Sequence, residues 1–343
     1  MSTQNAFEIP VPVKAFILSE LRKAEGGWVT GEALGRACGM SRAAISKRMR
    51  ALRARGYVIE SVTRKGHRLV EEPDDLEREA LESRLGGGRF ARGQYVHVAE
   101  TGSTNDDARM LAQSGAPEGS LVVADVQTEG RGRRGRVWHS APGESLLVSL
   151  VLRPPIAPMR CGWIPLLTAV ALRGALLELG ISGVGIKWPN DVLVDGRKLA
   201  GILCEISSDF EQVSHAVVGI GLNVNTAPEA FPAEVRALAC SLRGMTGQVW
   251  RRADVLVALL AEMDHWLDRL WAGELEALKA AWEAGSVTLG RQIEVQMPNG
   301  ELRTGLAECL DEGGGLWLRL SGGQRQLLTS GEVSLGTRPL SSR

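Results

Sequence analysis

A short string in the middle of the chain combines the two residue types best suited to binding anions. Residues 130–136 have the sequence GRGRRGR, with four arginines and three glycines. Glycine lets backbone N–H groups approach a ligand closely, and arginine offers a planar fork of donors that matches carboxylate and phosphate oxygens. Four neighbouring guanidinium groups repel one another, and a bound polyanion would relieve that repulsion. The string predicts a loop that holds a phosphate or carboxylate ligand; a solvated basic turn and a nucleic-acid arm are the alternatives.

A second cluster contains two unusual lysines. Residues 187–191 are KWPND, followed by VLVDGRKLAGILCE. The Asp195-Gly196 pair is typical of a two-residue hairpin, which would place Lys198 at the start of the returning strand. The chain has 33 arginines and only 7 lysines, and Lys187 and Lys198 are the only lysines between residues 66 and 278. Their compact ammonium groups suit contact with a reacting carboxyl or phosphoryl oxygen, although chance alone could also place them here.

Three small polar residues form a third cluster. Ser103, Thr104 and Asn105 stand before Asp106-Asp107 and a helical segment. Ser and Asn favour the N-cap and acidic residues favour the first turn, so a plain helix start explains the cluster as well as a ligand site does.

Several common sites are excluded. The chain contains no GxxxxGK[ST] loop, no GxSxG and no HExxH, and Val224 stands where a dinucleotide fingerprint needs glycine. The five histidines lack metal-ligand spacing. No apolar run approaches a membrane span, and no signal peptide precedes the first helix. The five cysteines form no CxxC pair, which predicts free thiols and a cytoplasmic protein.

The N-terminal region has the pattern of a DNA-binding domain. Residues 1–72 carry 13 Lys and Arg against 7 Asp and Glu, whereas the whole chain has zero net charge. Three helices are predicted at residues 12–25, 31–37 and 42–55, followed by two short strands around a basic turn, which is a winged helix-turn-helix. The third helix would enter the major groove and the wing would contact the backbone. The predicted DNA-binding residues are Ser41, Arg42, Ser46, Lys47, Arg50, Arg64 and Lys65.

The remaining chain predicts an α+β multidomain protein. Strands and helices mix without strict alternation from residue 94, which favours a central α/β domain with a mixed, largely antiparallel sheet. Short strands with glycine turns from residue 287 onward predict a small β-barrel. The predicted domains are a winged helix-turn-helix over 1–72, a linker with a helix over 73–93, a central domain over 94–284 and a C-terminal barrel over 285–343.

The order of these motifs resembles the biotin–protein ligases. The motifs are STN, the Q-T-x-G-R-G-R-R-G-R-x-W string, KWPND, RKLAGIL and GIGLNVN, and the N-terminal segment GMSRAAISK resembles that of the bifunctional ligase/repressors. The resemblance implies an SH3-like fold for the C-terminal barrel. It also implies a two-step reaction in which biotin and Mg-ATP form biotinyl-5′-AMP, from which biotin passes to a lysine of a carrier protein.

The resemblance implies roles for individual residues. Biotin-binding positions would be Ser103, Thr104, Asn105, Gln127, Arg131, Gly132, Arg133 and Lys198. The catalytic residues would be Lys198, Arg133, Asp191 and Lys187, with Asp191 either deprotonating the carrier lysine or holding Mg²⁺. The adenylate loop would also include Gly130, Arg134, Gly135, Arg136 and Trp138.

The resemblance also implies partners. They are the biotin carboxyl carrier protein of acetyl-CoA carboxylase, operator DNA and a second copy of the chain when the adenylate is bound. The adenylate would be the corepressor, and no membrane would be involved. A biotin-sensing regulator without ligase activity is the alternative from another class, and a lipoate or octanoate ligase is the alternative within the same fold.

Overall fold

The computed structural model describes residues 11–209 and 212–339. The first ten residues of the predicted N-terminal domain and the last four of the predicted C-terminal domain lie outside these ranges. The chain divides into two compact units, one of residues up to 86 with 251–253 and the other of residues 87–250 with 254 onward.

The N-terminal unit begins with three helices, α1 (Val11–Lys23), α2 (Gly31–Cys38) and α3 (Arg42–Ala54). Thr30 caps α2 by accepting from the Ala33 N–H, and Ser41 caps α3 by accepting from the Ala44 N–H. The apolar side of α3 is buried, as its i, i+4, i+7 spacing predicts.

Strands β1 (Val58–Val62) and β2 (Gly66–Glu71) pair antiparallel to form the wing. Val29 and His67 exchange backbone hydrogen bonds of 2.8 Å in both directions, so the segment before α2 extends the wing sheet. The predicted winged helix-turn-helix is confirmed by these elements.

The predicted linker helix is present but begins later than its sequence predicts, at Arg78. Only α4 (Arg78–Leu81) and a following turn are helical before Gly86. Lys14 of α1 donates to Asp75 at 3.1 Å and to Glu77 at 3.3 Å, and Arg22 pairs with Glu72. Pro73 and these ion pairs hold the acidic segment extended against α1, because its carboxylates satisfy the cations of the domain before it.

The central domain is built on a seven-stranded mixed sheet in the order β3-β4-β5-β9-β8-β7-β6. Its strands are β3 (Tyr95–Thr101), β4 (Leu121–Gln127), β5 (Ser145–Leu152), β6 (Val184–Lys187), β7 (Asp191–Val194), β8 (Arg197–Ser208) and β9 (Val213–Asn223). Only the β3–β4 pair is parallel among these, so the predicted mixed sheet is confirmed. Every residue of β5 is buried, which is typical of a strand covered on both faces.

Seven helices follow Gly86 in the described ranges. They are α5 (Arg89–Arg92), α6 (Thr104–Gln113), α7 (Trp163–Glu178), α8 (Ala233–Arg236), α9 (Leu242–Thr246), α10 (Arg252–Trp271) and α11 (Leu275–Gly285). Three of them, α6, α7 and α11, contact the strands of the sheet. By length and composition the segment Pro158–Glu178 could cross a membrane, but 67% of its apolar window is buried inside the fold. An all-round apolar helix of this kind is typical of a protein core.

The C-terminal domain is a five-stranded antiparallel sheet in the order β13-β12-β11-β10-β14. Its strands are β10 (Arg291–Gln296), β11 (Leu302–Leu310), β12 (Leu316–Leu320), β13 (Arg325–Leu328) and β14 (Glu332–Pro339). Glycines in the left-handed region at 300, 314 and 323 make the turns between successive strands, as predicted.

Candidate functional site

The arginine-glycine string is a small hairpin. Gly130 and Trp138 are joined by a backbone hydrogen bond of 2.8 Å, and the Gly132 N–H donates to the Arg136 carbonyl at 2.7 Å. Arg134 and Gly135 at the tip have φ values of +59° and +74°, so two successive left-handed residues reverse the chain. The loop therefore has a defined shape that gives each arginine its own direction.

The side chains of the four arginines contact three different parts of the protein. Arg131 donates to Asp106 of α6 at 2.6 Å, whereas Arg133 donates to the Asn190 side chain at 3.2 Å and the Gly331 carbonyl at 3.4 Å. Arg134 and Arg136 contact the C-terminal domain. Of the four, Arg133 is the one directed to the KWPND segment.

Electrostatics distinguish Arg131 from Arg133. Burial acts to raise the pKa of Asp106, but the hydrogen bond and charge of Arg131, with those of Arg109, hold that pKa below its usual range. Burial lowers the pKa of Arg133, and the charge of nearby Asp191 opposes this only in part. Arg131 is thus neutralised by a carboxylate, while Arg133 has uncharged hydrogen-bond partners and remains attractive to an anion.

The STN cluster forms a buried hydrogen-bond network. Ser103, Thr104 and Asn105 are each only 4% exposed, and the Ser103 side chain makes no capping bond. Both the backbone N–H and the hydroxyl of Thr104 donate to Gln127 Oε1, at 2.8 and 2.9 Å. Since this oxygen is occupied, the Gln127 amide group presents its N–H donors to any ligand.

Two residues that sequence reasoning missed complete the network. Ser149 of β5 is fully buried, and its hydroxyl lies 2.7 Å from both Thr104 Oγ1 and Asn105 Oδ1. The Asn105 Nδ2 donates to Glu205 Oε2 at 2.8 Å. Their only sequence signal is a polar residue inside an apolar strand, as in SLLVSLVL and ILCEIS.

Three glycines of β8 and β9 form the floor of the site. A Cβ at Gly221 would lie 2.6 Å from the Trp138 ring, one at Gly219 would lie 2.1 Å from Asn105 Oδ1, and one at Gly201 would meet Lys198 and Trp138 at 3.2 Å. The indole ring and the Asn105 amide therefore rest directly on the sheet backbone. Sequence reasoning also missed this floor, although its glycines belong to the motifs RKLAGIL and GIGLNVN.

Lys198, Asp191 and Lys187 are brought together by the β7–β8 hairpin and strand β6. The turn residues Asp195 and Gly196 have φ values of +49° and +78°, which confirms the predicted two-residue turn. The Lys198 Nζ lies 2.7 Å from Asp191 Oδ1, and the Lys187 Nζ lies 3.6 Å from Asp191 Oδ2. One carboxylate thus holds two ammonium groups, and Lys198 Nζ also lies 5.8 Å from the Trp138 ring centre.

A second group of buried polar atoms surrounds the far end of β5 and β9. Ser145 pairs with Asn223 across these strands, and the Glu144 carbonyl accepts from the Val224 and Asn225 N–H groups. The Ser145 and Thr226 hydroxyls and the Trp138 indole nitrogen are buried and have no hydrogen-bond partner among residues 11–209 and 212–339. Buried polar atoms normally have partners, so this end of the site suits a polar ring that would supply them.

A cavity of about 800 Å³ opens beside the loop. Arg133, Asn190 and Trp188 line it together with β8, the N-terminal end of α7 and the turn at residues 311–315. The STN network and Lys198 do not line this cavity. Arg133 and Arg134, two of the predicted site residues, therefore join the cavity to the loop.

The predicted DNA-binding residues lie at exposed positions of α3 and of the wing. Arg42, Ser46, Lys47 and Arg50 are exposed on α3, and Arg64 and Lys65 are exposed at the wing tip. Ser41 caps α3. Lys65 and Arg68 lie 5.9 and 4.9 Å from the Trp28 ring centre, so an aromatic residue supports the wing. Arg53 instead donates to the Ile59 carbonyl at 2.7 Å and binds the wing.

Comparison with protein families agrees with this organisation. A model of the biotin/lipoate A/B protein ligase family matches residues 98–223, an HTH domain model matches residues 14–68, and a biotin protein ligase C terminal domain model matches residues 288–336.

Individual relatives match over most of their length. The bifunctional ligase/repressor BirA of Bacillus subtilis is 36% identical, covering 92% of this chain and 96% of its own. The bifunctional ligase/repressor BirA of Escherichia coli is 30% identical, covering 95% and 97%. The solved biotin protein ligase from Aquifex aeolicus in complex with biotin and ATP is 30% identical with a TM-score of 0.61, covering 71% of this chain and 98% of its own.

An HTH domain, a ligase domain and the matching C-terminal domain thus occur in one chain, in the same order as the elements described above. The alignment with the Bacillus subtilis bifunctional relative, at 36% identity over nearly its full length, covers all three of these domains. The chain belongs to the biotin–protein ligase family, in its bifunctional ligase/repressor branch.

Proposed function

We propose that this protein activates biotin with ATP to biotinyl-5′-AMP, transfers the biotinyl group to a lysine of a biotin carboxyl carrier protein, and represses transcription through its winged helix-turn-helix domain. The observation that carries the ligase assignment is the position of Lys198. Its ammonium is held by Asp191 beside a glycine-floored groove that the arginine hairpin covers.

Biotin fits the groove between the STN network and Lys198. The free N–H donors of Gln127 and the uncommitted hydroxyl of Ser103 suit the oxygen and nitrogens of a ureido ring. The glycine floor lets the Trp138 ring and the Asn105 amide lie directly on the sheet, which favours space above them for a flat ring system. The Lys198 ammonium suits the carboxylate at the other end. Thr104 holds the Gln127 side chain, and Asn105 fastens the start of α6 to Glu205 of β8. Arg131 connects the loop to Asp106 of α6, and the Gly132 N–H closes the hairpin.

In the first step a biotin carboxylate oxygen attacks the α-phosphorus of ATP. A C–O–P linkage forms, the bond to the β-phosphate breaks, and pyrophosphate leaves. Charge builds on the phosphoryl oxygens, so cations aimed there are the main means of lowering the barrier. We assign this role to the cations Arg133 and Lys198. Asp191 orients Lys198, and Lys187 helps to balance the negative charge of the Asp191 carboxylate.

ATP has matching features on the other side of the groove. Trp138 offers a ring face for stacking, and the unpartnered polar atoms of Trp138, Ser145 and Thr226 suit a nucleotide base. Gly130, Arg134, Gly135 and Arg136 shape and hold the covering hairpin.

The residues do not form a Mg²⁺ site of their own. Within the described ranges no group of three His, Cys, Asp or Glu side chains could hold a metal ion. Asp191 is already bound to two ammonium groups, which makes it a poor ligand for a cation. This favours the orienting role of Asp191 over metal binding, and no step is assigned to a protein-held metal.

In the second step the carrier lysine amine attacks the acyl carbon of the adenylate. A C–N bond forms, the acyl C–O bond breaks, AMP leaves and the amine loses a proton. Water would hydrolyse the same anhydride, so a hairpin closed over the groove protects it until the carrier arrives.

Repression requires two DNA-binding units on a two-fold operator, and we propose a homodimer favoured by the adenylate. The strand β8 offers an edge for this purpose. Residues 204–208 pair with β9 on one side, whereas β7 ends its pairing at Gly201 and no described strand continues beside it. An unpaired strand edge is a template for pairing with a second chain.

The five free cysteines support a reducing, cytoplasmic location.

The assignment is tested by incubating the protein with labelled biotin, ATP and a biotin carboxyl carrier domain. Label on the carrier is expected. No label, together with biotin-dependent DNA binding, would favour the sensor alternative, and preferential use of lipoate or octanoate in competition would favour the other ligase class. A gel shift that does not tighten with biotin and ATP would overturn the coupling to repression.

A further inference from the structure

The tip of the arginine hairpin contacts the C-terminal domain. Arg134 donates to the Gln296 carbonyl at 3.3 Å and to the Met297 carbonyl at 3.2 Å, both at the end of β10. Arg136 forms an ion pair with Glu332 at the start of β14, and Arg133 donates to the adjacent Gly331 carbonyl. Three of the four loop arginines thus contact a domain outside the seven-stranded sheet.

The C-terminal domain is attached to the central domain independently of this loop. The Trp163 indole at the start of α7 donates to the Glu312 carbonyl at 2.8 Å, and the Trp188 indole donates to the Gly314 carbonyl at 3.1 Å. A Cβ at Gly162 would lie 2.2 Å from the Gly313 carbonyl oxygen, so the two backbones touch. The domain is therefore a fixed support against which the hairpin can close.

We propose that the C-terminal domain latches the hairpin shut, with Arg134, Arg136 and Glu332 as positioning residues that set how long the adenylate is retained. This inference rests on the proposed ligase function. It gives the loop arginines different roles, because Arg133 reaches the reacting groups whereas Arg134 and Arg136 hold the loop that carries it.

The backbone of Arg134 supports this division. Its φ of +59° is uncommon for a residue with a side chain, and such a conformation persists where surrounding contacts hold it. The two carbonyl bonds from its guanidinium are contacts of that kind. Both lie on the C-terminal domain, so this strained tip is held from outside the catalytic sheet.

The test uses the full-length variants Arg134→Gly, Arg136→Ala and Glu332→Gln. Glycine at 134 accepts the backbone conformation and removes the side-chain contacts, but it also loosens the backbone. Glu332→Gln removes a contact of the hairpin without changing the sequence of the loop. Release of labelled biotinyl-AMP and random labelling of bystander lysines are each expected to rise about three- to tenfold, the size expected for exposed ion pairs and single hydrogen bonds. In Glu332→Gln, which leaves every residue of the loop and of the catalytic set in place, pyrophosphate release in the first turnover should change less than about twofold.

The charge-reversed double variant, Arg136→Glu with Glu332→Arg, should restore retention, which a general loss of stability would not do. Arg319→Ala, which breaks the exposed ion pair with Glu308 elsewhere in the same domain, is the matched control and should behave as wild type. Wild-type adenylate release from all three single variants, or no rescue by the charge reversal, would overturn the latch.

A second readout does not depend on ligase activity. Amide hydrogen exchange of residues 130–138 should be faster in Arg134→Gly and Glu332→Gln than in wild type, and unchanged in Arg319→Ala. Equal exchange in all four proteins would overturn the latch, whereas a wild-type protein that makes no biotinyl-AMP would overturn the ligase assignment.

Discussion

Asp191 of β7 and Lys198 of the neighbouring strand β8 form an ion pair, with carboxylate and ammonium 2.7 Å apart. Lys187 approaches the same carboxylate less closely, at 3.6 Å, from the neighbouring strand β6. The ammonium of Lys198 is thus the better-held cation of the two, and it is also the one beside Trp138.

Lys198→Ala should abolish most adenylation. Loss of one well-placed donor to a developing anion typically slows the chemical step by about 10²–10³-fold. Pyrophosphate release in a single turnover measures this directly. Lys187→Ala serves as the comparison and should lose less than about tenfold, because its contact with Asp191 is longer. Equal losses in both variants would contradict the distinct role of Lys198.

Arg133→Gly should make biotinyl-AMP more slowly than wild type, because it lacks one of the two cations assigned to the phosphoryl oxygens, and it should then lose the adenylate that it makes. A charge-assisted bond contributes about 1.5–3 kcal/mol, so adenylate retention should fall about ten- to hundredfold. Mass spectrometry of bystander proteins should show biotin on many lysines. Retention equal to wild type would refute the gating role of the hairpin.

Gly221→Ala should weaken binding of the adenylate without unfolding the protein. A Cβ here meets the Trp138 ring at 2.6 Å, so the ring must move off the sheet. Calorimetry should show affinity for biotin and ATP reduced by about 1–3 kcal/mol, the usual range for overpacking. Gly102→Ala is the matched control, since its nearest neighbour would lie at 3.8 Å; an equal effect there would argue against a specific floor.

Two arginines of α3 should behave differently on DNA. Arg50→Ala should lower the slope of log affinity against log salt by about one unit and leave thermal stability unchanged, because Arg50 is a predicted DNA contact whose side chain is exposed on α3. Arg53→Ala should lower the free energy of unfolding by about 1 kcal/mol, because it loses its bond to the Ile59 carbonyl. The reverse pattern would mean that Arg53 faces the DNA.

The N-terminal unit should lose stability in mild acid through His67. Burial lowers the pKa of His67 from its usual value, and the charges of Arg53 and Arg42 lower it further. The unfolded chain then binds more protons below about pH 6.5, so the free energy of unfolding falls as the pH falls from that value toward the lowered pKa. Urea unfolding at pH 7.5 and 5.5 measures the loss, which should shrink in His67→Gln; an unchanged loss would assign it to other groups.

Local elements could be predicted from the sequence because their causes are local. Thr30 and Ser41 make the caps that their residue types favour, and the Asp195-Gly196 turn has the backbone that this pair adopts. The extended conformation of the linker before Arg78 could not be predicted from local sequence. Its carboxylates find partners on α1, more than 50 residues earlier in the chain, and a helix prediction contains no information about those partners.

The site could be predicted only in part. The loop, Lys198 and Asp191 stand in recognisable motifs, but Ser149 and Glu205 enter the site through strand register, which joins β5, β8 and β9 across long separations. The contacts of Arg134 and Arg136 depend on a domain more than 150 residues further along. Which of the four arginines is available to a ligand and which supports the loop is therefore decided by tertiary contacts, which the local sequence does not contain.

The glycine floor has a consequence for how the ligase can change over evolutionary time. At residues 201, 219 and 221 the side chains that line the groove, Trp138 and Asn105, already lie as close to the sheet as the polypeptide backbone allows, since no residue is smaller than glycine. Any substitution there can only make the groove shallower, so drift at these positions can restrict the range of accepted ligands but cannot widen it. A broader substrate range would have to arise from the walls, at Gln127, Ser149 or Glu205, where side chains remain to be shortened.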